Sequence, residues 1–130
     1  MGYTFRGREV RPRSGFCAPV GGLGIHFVHA PAVAAPAGPI LPLILCHEWP
    51  DSFWRYTKVI ALLTDPARTG PFPPDAFDVV VPDMPGYGYS SRPAGPPFNA
   101  VAVAGLWAKL MDTLGYTRNS VRRAGTLAAT

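Results

Sequence analysis

Cysteine is scarce in this chain of 130 residues: there are two, Cys17 and Cys46, far apart. No paired-cysteine spacing exists, so a zinc-type ligand set is excluded, and two distant thiols make no disulfide framework. Charge is thin as well, at 15% charged residues and a net +4. Part of the basic excess sits in two short stretches, Arg6 to Arg13 and Arg118 to Arg123, which read as solvated tails. No basic face interleaved with aromatics accompanies them, so nucleic acid is not expected as a partner. No apolar run approaches the roughly 18 residues of a membrane span. Met1-Gly2-Tyr3-Thr4-Phe5-Arg6 has no apolar core of a secretory signal. A cytoplasmic protein without a membrane partner is the expectation. There is no internal repeat and no Gly-Lys-Ser/Thr phosphate loop. No cofactor and no metal are expected, and the sequence leaves the oligomeric state open.

Proline and glycine, by contrast, are abundant, at 16 and 14 residues. With a hydrophobic fraction of 48%, they mark long connections between buried elements, not disorder. At this length the chain forms one domain at most.

The apolar run Ile40-Leu41-Pro42-Leu43-Ile44-Leu45-Cys46 fits a strand buried on both faces of a parallel sheet. It ends abruptly in His47-Glu48-Trp49-Pro50, and a turn at the carboxyl end of such a strand is where an open α/β sheet places functional backbone. Gly24 to His29 alternates, with Ile25 and Phe27 on one face, and reads as a strand whose pairing, parallel or antiparallel, is open. Phe77-Asp78-Val79-Val80-Val81 is a further buried strand, followed by the glycine-rich turn Pro85 to Ser90. A helix over about 53–63 follows the His47–Pro50 turn, with Asp51 or Ser52 as its cap. A second helix over 99–114 carries Val103, Leu106, Trp107, Leu110, Met111 and Leu114 on one face, with Asn99 as cap and Gly115 at its end. Met1 to Gly22 shows no period and reads as irregular. The strand expected after Gly115-Tyr116 does not arrive: Asn119 to Thr130 holds no apolar run. This order implies an α/β fold with a mostly parallel sheet and helices packed on it.

Five segments in order resemble the N-terminal part of an α/β-hydrolase of the epoxide hydrolase family, of the bacterial, microsomal-like kind. They are Gly24–His29, His47–Phe53, Phe77–Pro82, Pro85–Ser90, and Leu106-Trp107 through Leu114-Gly115-Tyr116. The resemblance implies an incomplete α/β-hydrolase fold. It divides the chain into an irregular segment 1–22, a partial hydrolase domain 23–118 and a tail 119–130 outside the family pattern. It also implies that the backbone N–H of Trp49 is one of two donors to an oxyanion, supported by the turn residues His47, Glu48 and Pro50. Fixed donors of that kind stabilise charge in a dry pocket. His47 is a local structural histidine in this reading. Glu48 departs from the family, where glycine is expected; a Cβ and a charge there should weaken anion stabilisation. Asp83 is expected to organise the Pro85–Ser90 turn through local hydrogen bonds, not to act as nucleophile.

In the family, an aspartate on a nucleophile elbow opens a small-molecule epoxide and forms an ester. A His–acid pair then activates water to hydrolyse it, and two cap tyrosines protonate the opened oxygen. None of those positions is among these residues, so the 130-residue chain alone is expected to be inactive. A fragment of another α/β-hydrolase, a haloalkane dehalogenase or an esterase, and a non-catalytic folded remnant are the alternatives. Trp49 and Tyr87-Gly88-Tyr89 favour the epoxide hydrolase. Codons also exist for Asn119 to Thr130 that, read two bases along, spell Phe-Gly-Ala-Ala-Gly-Gly-Asp-Ile-Gly-Ser-His, a family-like nucleophile elbow. A frameshift near Asn119 is the expectation, which the nucleotide sequence would test.

Overall fold

The computed structural model describes residues 3–5, 8–10, 15–33, 40–48, 50–66, 75–96, 98–117 and 122–124. A small antiparallel pair, β1 (Tyr3–Phe5) with β2 (Arg8–Val10), stands apart from the main sheet. That sheet has five strands: β3 (Gly15–Val20), β4 (Leu23–Ala30), β5 (Leu41–Leu45), β6 (Phe77–Pro82) and β7 (Arg122–Ala124). Their spatial order is β3-β4-β6-β5-β7. β3 and β4 form an antiparallel hairpin, β4 runs antiparallel to β6, and β5 runs parallel to both β6 and β7. The hairpin turns through Gly21 and Gly22, both at positive φ (56° and 83°). That is the conformation a tight two-residue hairpin demands, and glycine adopts it without steric cost.

Alternation splits the strands between two faces. Ile25, Phe27, Ile44, Cys46 and Val80 meet the apolar stripe of helix α2 (Ala100–Leu114), where Val103, Leu106, Trp107, Leu110 and Met111 are buried. Val28, Ala30, Leu43, Leu45, Val79 and Val81 meet Ile60 of helix α1 (Thr57–Thr64) on the other face. Because both faces are covered, the strand runs are continuously apolar. Asn99 caps α2 by accepting from the Ala102 N–H at 2.8 Å, and Gly115 ends it at φ 86°.

The strands expected near 24–30, 40–46 and 77–81 and the helix over 99–114 are present, and the first of those strands is antiparallel. Three expectations need correction. The described residues before Gly21 form the strands β1, β2 and β3 where an irregular segment was expected. Within β3, Phe16, Ala18 and Val20 do alternate inward, but Gly15, Cys17 and Pro19 between them masked the signal; Pro19 is tolerated because β3 is an edge strand. The helix expected from residue 53 begins as a 3₁₀ turn, Phe53–Tyr56, and becomes α-helical only at Thr57, with Ser52 as the cap of the first turn. A strand does follow α2: β7, three residues long, pairs in parallel with Leu43–Leu45. Its backbone register beside β5 supplies the order that its sequence does not advertise.

Candidate active site

The turn that follows β5 and the loop that follows β6 lie at the carboxyl ends of neighbouring parallel strands. Between them sits the Asp83 carboxylate, with no exposed surface. A buried carboxylate is tolerated only if donors satisfy it. Here they come from three segments. The Phe53 N–H donates to Oδ1 at 2.8 Å, the Tyr89 N–H donates to Oδ2 at 3.1 Å, and His26 Nδ1 lies 2.8 Å from Oδ2. Ser90 completes the enclosure: its hydroxyl donates to the Asp83 carbonyl at 2.8 Å and accepts from the His26 N–H at 3.0 Å. The Asp83 N–H in turn donates to the His26 carbonyl at 2.9 Å.

His47 is the second buried polar group, at 1% exposure. Its Nε2 accepts from the Met84 N–H at 3.0 Å, so in the neutral ring Nδ1 carries the proton and donates to the Glu48 carbonyl at 3.0 Å. Protonation would add an N–H at Nε2, 3.5 Å from Asp83 Oδ1. Burial opposes that charge, but Asp83, the Glu48 carbonyl and Asp51 outweigh it and hold the His47 pKa above the ordinary 6.5. For Asp83 likewise, burial works against ionisation. His47, the Phe53 and Tyr89 amides and His26 together hold its pKa below the ordinary 3.8.

The rest of the turn is tied locally. The Ser52 N–H donates to Asp51 Oδ1 at 2.8 Å, and Asp51 also pairs with Arg55. Tyr56 donates its hydroxyl proton to the Cys46 carbonyl at 2.7 Å, which returns the 3₁₀ turn to the end of β5. Aromatic rings gather on the same side: Phe53, Tyr89 and the His26 imidazole stand 5.0–6.2 Å apart, and Tyr87 faces His47 at 6.1 Å.

Of the residues singled out in sequence, His47 is buried beneath the turn, while Glu48 and Pro50 are exposed on it. Trp49 lies outside the described residues. Asp83 does organise the following turn, through Tyr89, but its reach extends beyond local bonds to Phe53 and His26. Sequence reasoning missed His26 and Ser90 as its partners. The available signal was weak: a histidine on the strand face opposite Ile25 and Phe27, and a serine closing a glycine turn. Among the described residues, no three His, Cys, Asp or Glu side chains converge on a metal position.

The chain's residues 42–120 match the α/β-hydrolase fold family model. Residues 2–56 match the model for the N terminus of epoxide hydrolases, which takes in the segment before Val20 as well. The chain belongs to the α/β-hydrolase epoxide hydrolase family. It corresponds to the family's N-terminal portion. A Stigmatella aurantiaca protein provisionally named an epoxide hydrolase is 46% identical over 96 residues, covering 74% of this chain and 21% of that protein. Epoxide hydrolase 1 of Sus scrofa is 40% identical over 102 residues, covering 78% of this chain and 22% of its own length. The crystal structure of juvenile hormone epoxide hydrolase from the silkworm Bombyx mori superposes with a TM-score of 0.70 at 32% identity, over 84% of this chain and 25% of that one. The chain thus spans about a fifth of the length of these curated relatives. No helix among the described residues is long and apolar enough to cross a membrane.

Proposed function

We propose that this chain supplies one oxyanion donor of an epoxide hydrolase active site, the backbone N–H of Trp49, on a turn braced by His47, Glu48 and Pro50. The substrate class is a small-molecule epoxide. In the ester-hydrolysis step, water gives a proton to the family's histidine and adds to the ester carbonyl, the C=O electron pair moves onto oxygen, and the resulting oxyanion accepts the donor's hydrogen bond until the pair returns and the diol oxygen leaves with that proton. The observation that carries this reading is the His47–Glu48 contact. His47 Nδ1 donates to the Glu48 carbonyl at 3.0 Å and Nε2 accepts from the Met84 N–H at 3.0 Å, so the start of the turn is tied to the loop after β6.

Donors of this kind act only when a nucleophile generates the oxyanion. The isolated 130-residue chain is accordingly inactive in this reading. The test has two arms. Purified chain is assayed for hydrolysis of styrene oxide, with the buffer rate expected. Residues 15–117 then replace the matching segment of the Bombyx mori enzyme, and measurable epoxide hydrolysis is expected. Stereoselective turnover by the isolated chain, lost on substituting one of its own residues, would refute the first claim. A folded chimera that never forms the covalent ester or diol would refute the second.

A further inference from the structure

We propose that Asp83 is the positioning residue of the oxyanion turn: its buried carboxylate holds the far end of the turn at Phe53 and locks it to the loop 86–91, while the next residue, Met84, holds His47 at the near end. The inference rests on the reading of that turn as the donor segment, and it adds what holds the described residues on either side of Trp49. At the near end, His47 Nε2 accepts from the N–H of Met84, the residue after Asp83, at 3.0 Å, while its Nδ1 donates to the Glu48 carbonyl at 3.0 Å. At the far end, the Phe53 N–H donates to Asp83 Oδ1 at 2.8 Å. Between these anchors, the described ties of residues 50–52 are local to the turn. The second oxygen, Oδ2, takes the Tyr89 N–H and His26 Nδ1, so the glycine-rich loop and β4 share the hub.

The fit around Asp83 is close enough to transmit a displacement. A Cβ on Gly88 would lie 2.0 Å from Asp83 Oδ2, and Gly88 sits at φ 52°. Only glycine lets the loop wrap the carboxylate this tightly. Charge matters as much as shape. An ionised carboxylate accepts at both oxygens and makes stronger bonds than a neutral amide carbonyl. An asparagine would turn one acceptor into a donor facing the Tyr89 N–H. The charged or titratable groups around this carboxylate are His26 from β4 and His47 after β5, with Asp51 acting on His47 from the turn.

The test uses the full 130-residue chain, isotopically labelled, in NMR. In the unaltered chain at neutral pH, through-hydrogen-bond couplings are expected from the Phe53 and Tyr89 amide nitrogens to the Asp83 carboxyl carbon. Their absence overturns the proposal without recourse to any variant. In Asp83→Asn, exchange of the Phe53 and Tyr89 amides is expected to rise by on the order of tenfold. The His47 ring titration should move to lower pH, and the Trp49 amide resonance should shift. Gly88→Ala should move the Tyr89 and Phe53 amides in the same way by displacing the carboxylate. Asp78→Asn is the control. It removes the charge from the carboxylate that accepts the Ala32 N–H and the Tyr116 hydroxyl proton, on the strand that leads to Asp83. If Asp78→Asn moves the Trp49 amide as far as Asp83→Asn does, the effect is general loosening and the proposal falls. Turnover in the chimera judges the donor role separately, so either claim can fail while the other stands.

Discussion

Replacing His29 with glutamine should flatten the acid side of the chain's stability curve. His29 is buried, 3% exposed, at the end of β4 away from the candidate site. Its Nε2 lies 2.9 Å from the Tyr116 hydroxyl, which donates to Asp78 Oδ2 at 3.0 Å. The carboxylate is acceptor-only, so the tyrosine proton goes to Asp78 and His29 donates from Nε2 in the neutral form. Burial lowers the His29 pKa to about 4, against the partial opposition of Asp78. The unfolded chain then takes up a proton from about pH 6.5 downward that the folded chain refuses. Stability is full above pH 6.5 and drains as pH falls toward 4. With those two pKa values, linkage gives a loss of about 2–3 kcal/mol between pH 7.5 and pH 4.5. That is a large part of the stability of a small domain. Glutamine keeps a donor near the Nε2 position and cannot titrate. Urea unfolding followed by tryptophan fluorescence at both pH values supplies the comparison. The unaltered chain should lose about 2–3 kcal/mol more than His29→Gln over that interval. His47, whose folded pKa is raised, works the other way in both proteins and cancels in the difference. Equal losses in the two proteins would refute the assignment of a buried neutral imidazole.

Leu110→Ala removes a fully buried side chain from the α2 face of the core and should cost about 2–5 kcal/mol, measured by the same urea titration. Asn99→Ala deletes the cap of α2 and should cost about 1 kcal/mol, with the helix content of the remaining folded fraction unchanged by circular dichroism. β7 has no neighbour on its outer side among the described residues, and an uncovered edge invites pairing between chains. The chain should therefore associate reversibly as its concentration rises, with the mass seen by light scattering climbing above that of the monomer; a mass that stays at the monomer's at every concentration would contradict this.

The parts of the fold legible in sequence are those where pattern and burial coincide. β5 and β6 are covered on both faces, so their apolar runs announce them. α2 carries its stripe at helical spacing between a cap and a terminal glycine, and its bounds could be read almost to the residue. β3 was illegible because an edge strand tolerates Pro19 and leaves Gly15 and Cys17 outward. β7 was illegible for a different reason: Arg122-Arg123-Ala124 has no strand signature of its own, and only its register with Leu43–Leu45 makes it a strand. At the site, the His47–Pro50 turn stood out because a strand ends there. The Asp83 hub did not, since its partners His26 and Phe53 lie 57 and 30 residues away and no local pattern links them.

Glu48 gives the most direct test of the account. If the Trp49 N–H is an oxyanion donor, a carboxylate beside it should oppose the charge that develops when the ester is hydrolysed. In the chimera with the Bombyx mori enzyme, single-turnover measurements separate ester formation from ester hydrolysis. The protein with Glu48 should accumulate the covalent ester, and Glu48→Gly should speed its hydrolysis, by up to about 100-fold, with little change in alkylation. An ester that hydrolyses at the same rate with Glu48 or glycine would contradict the claim that this turn binds the oxyanion.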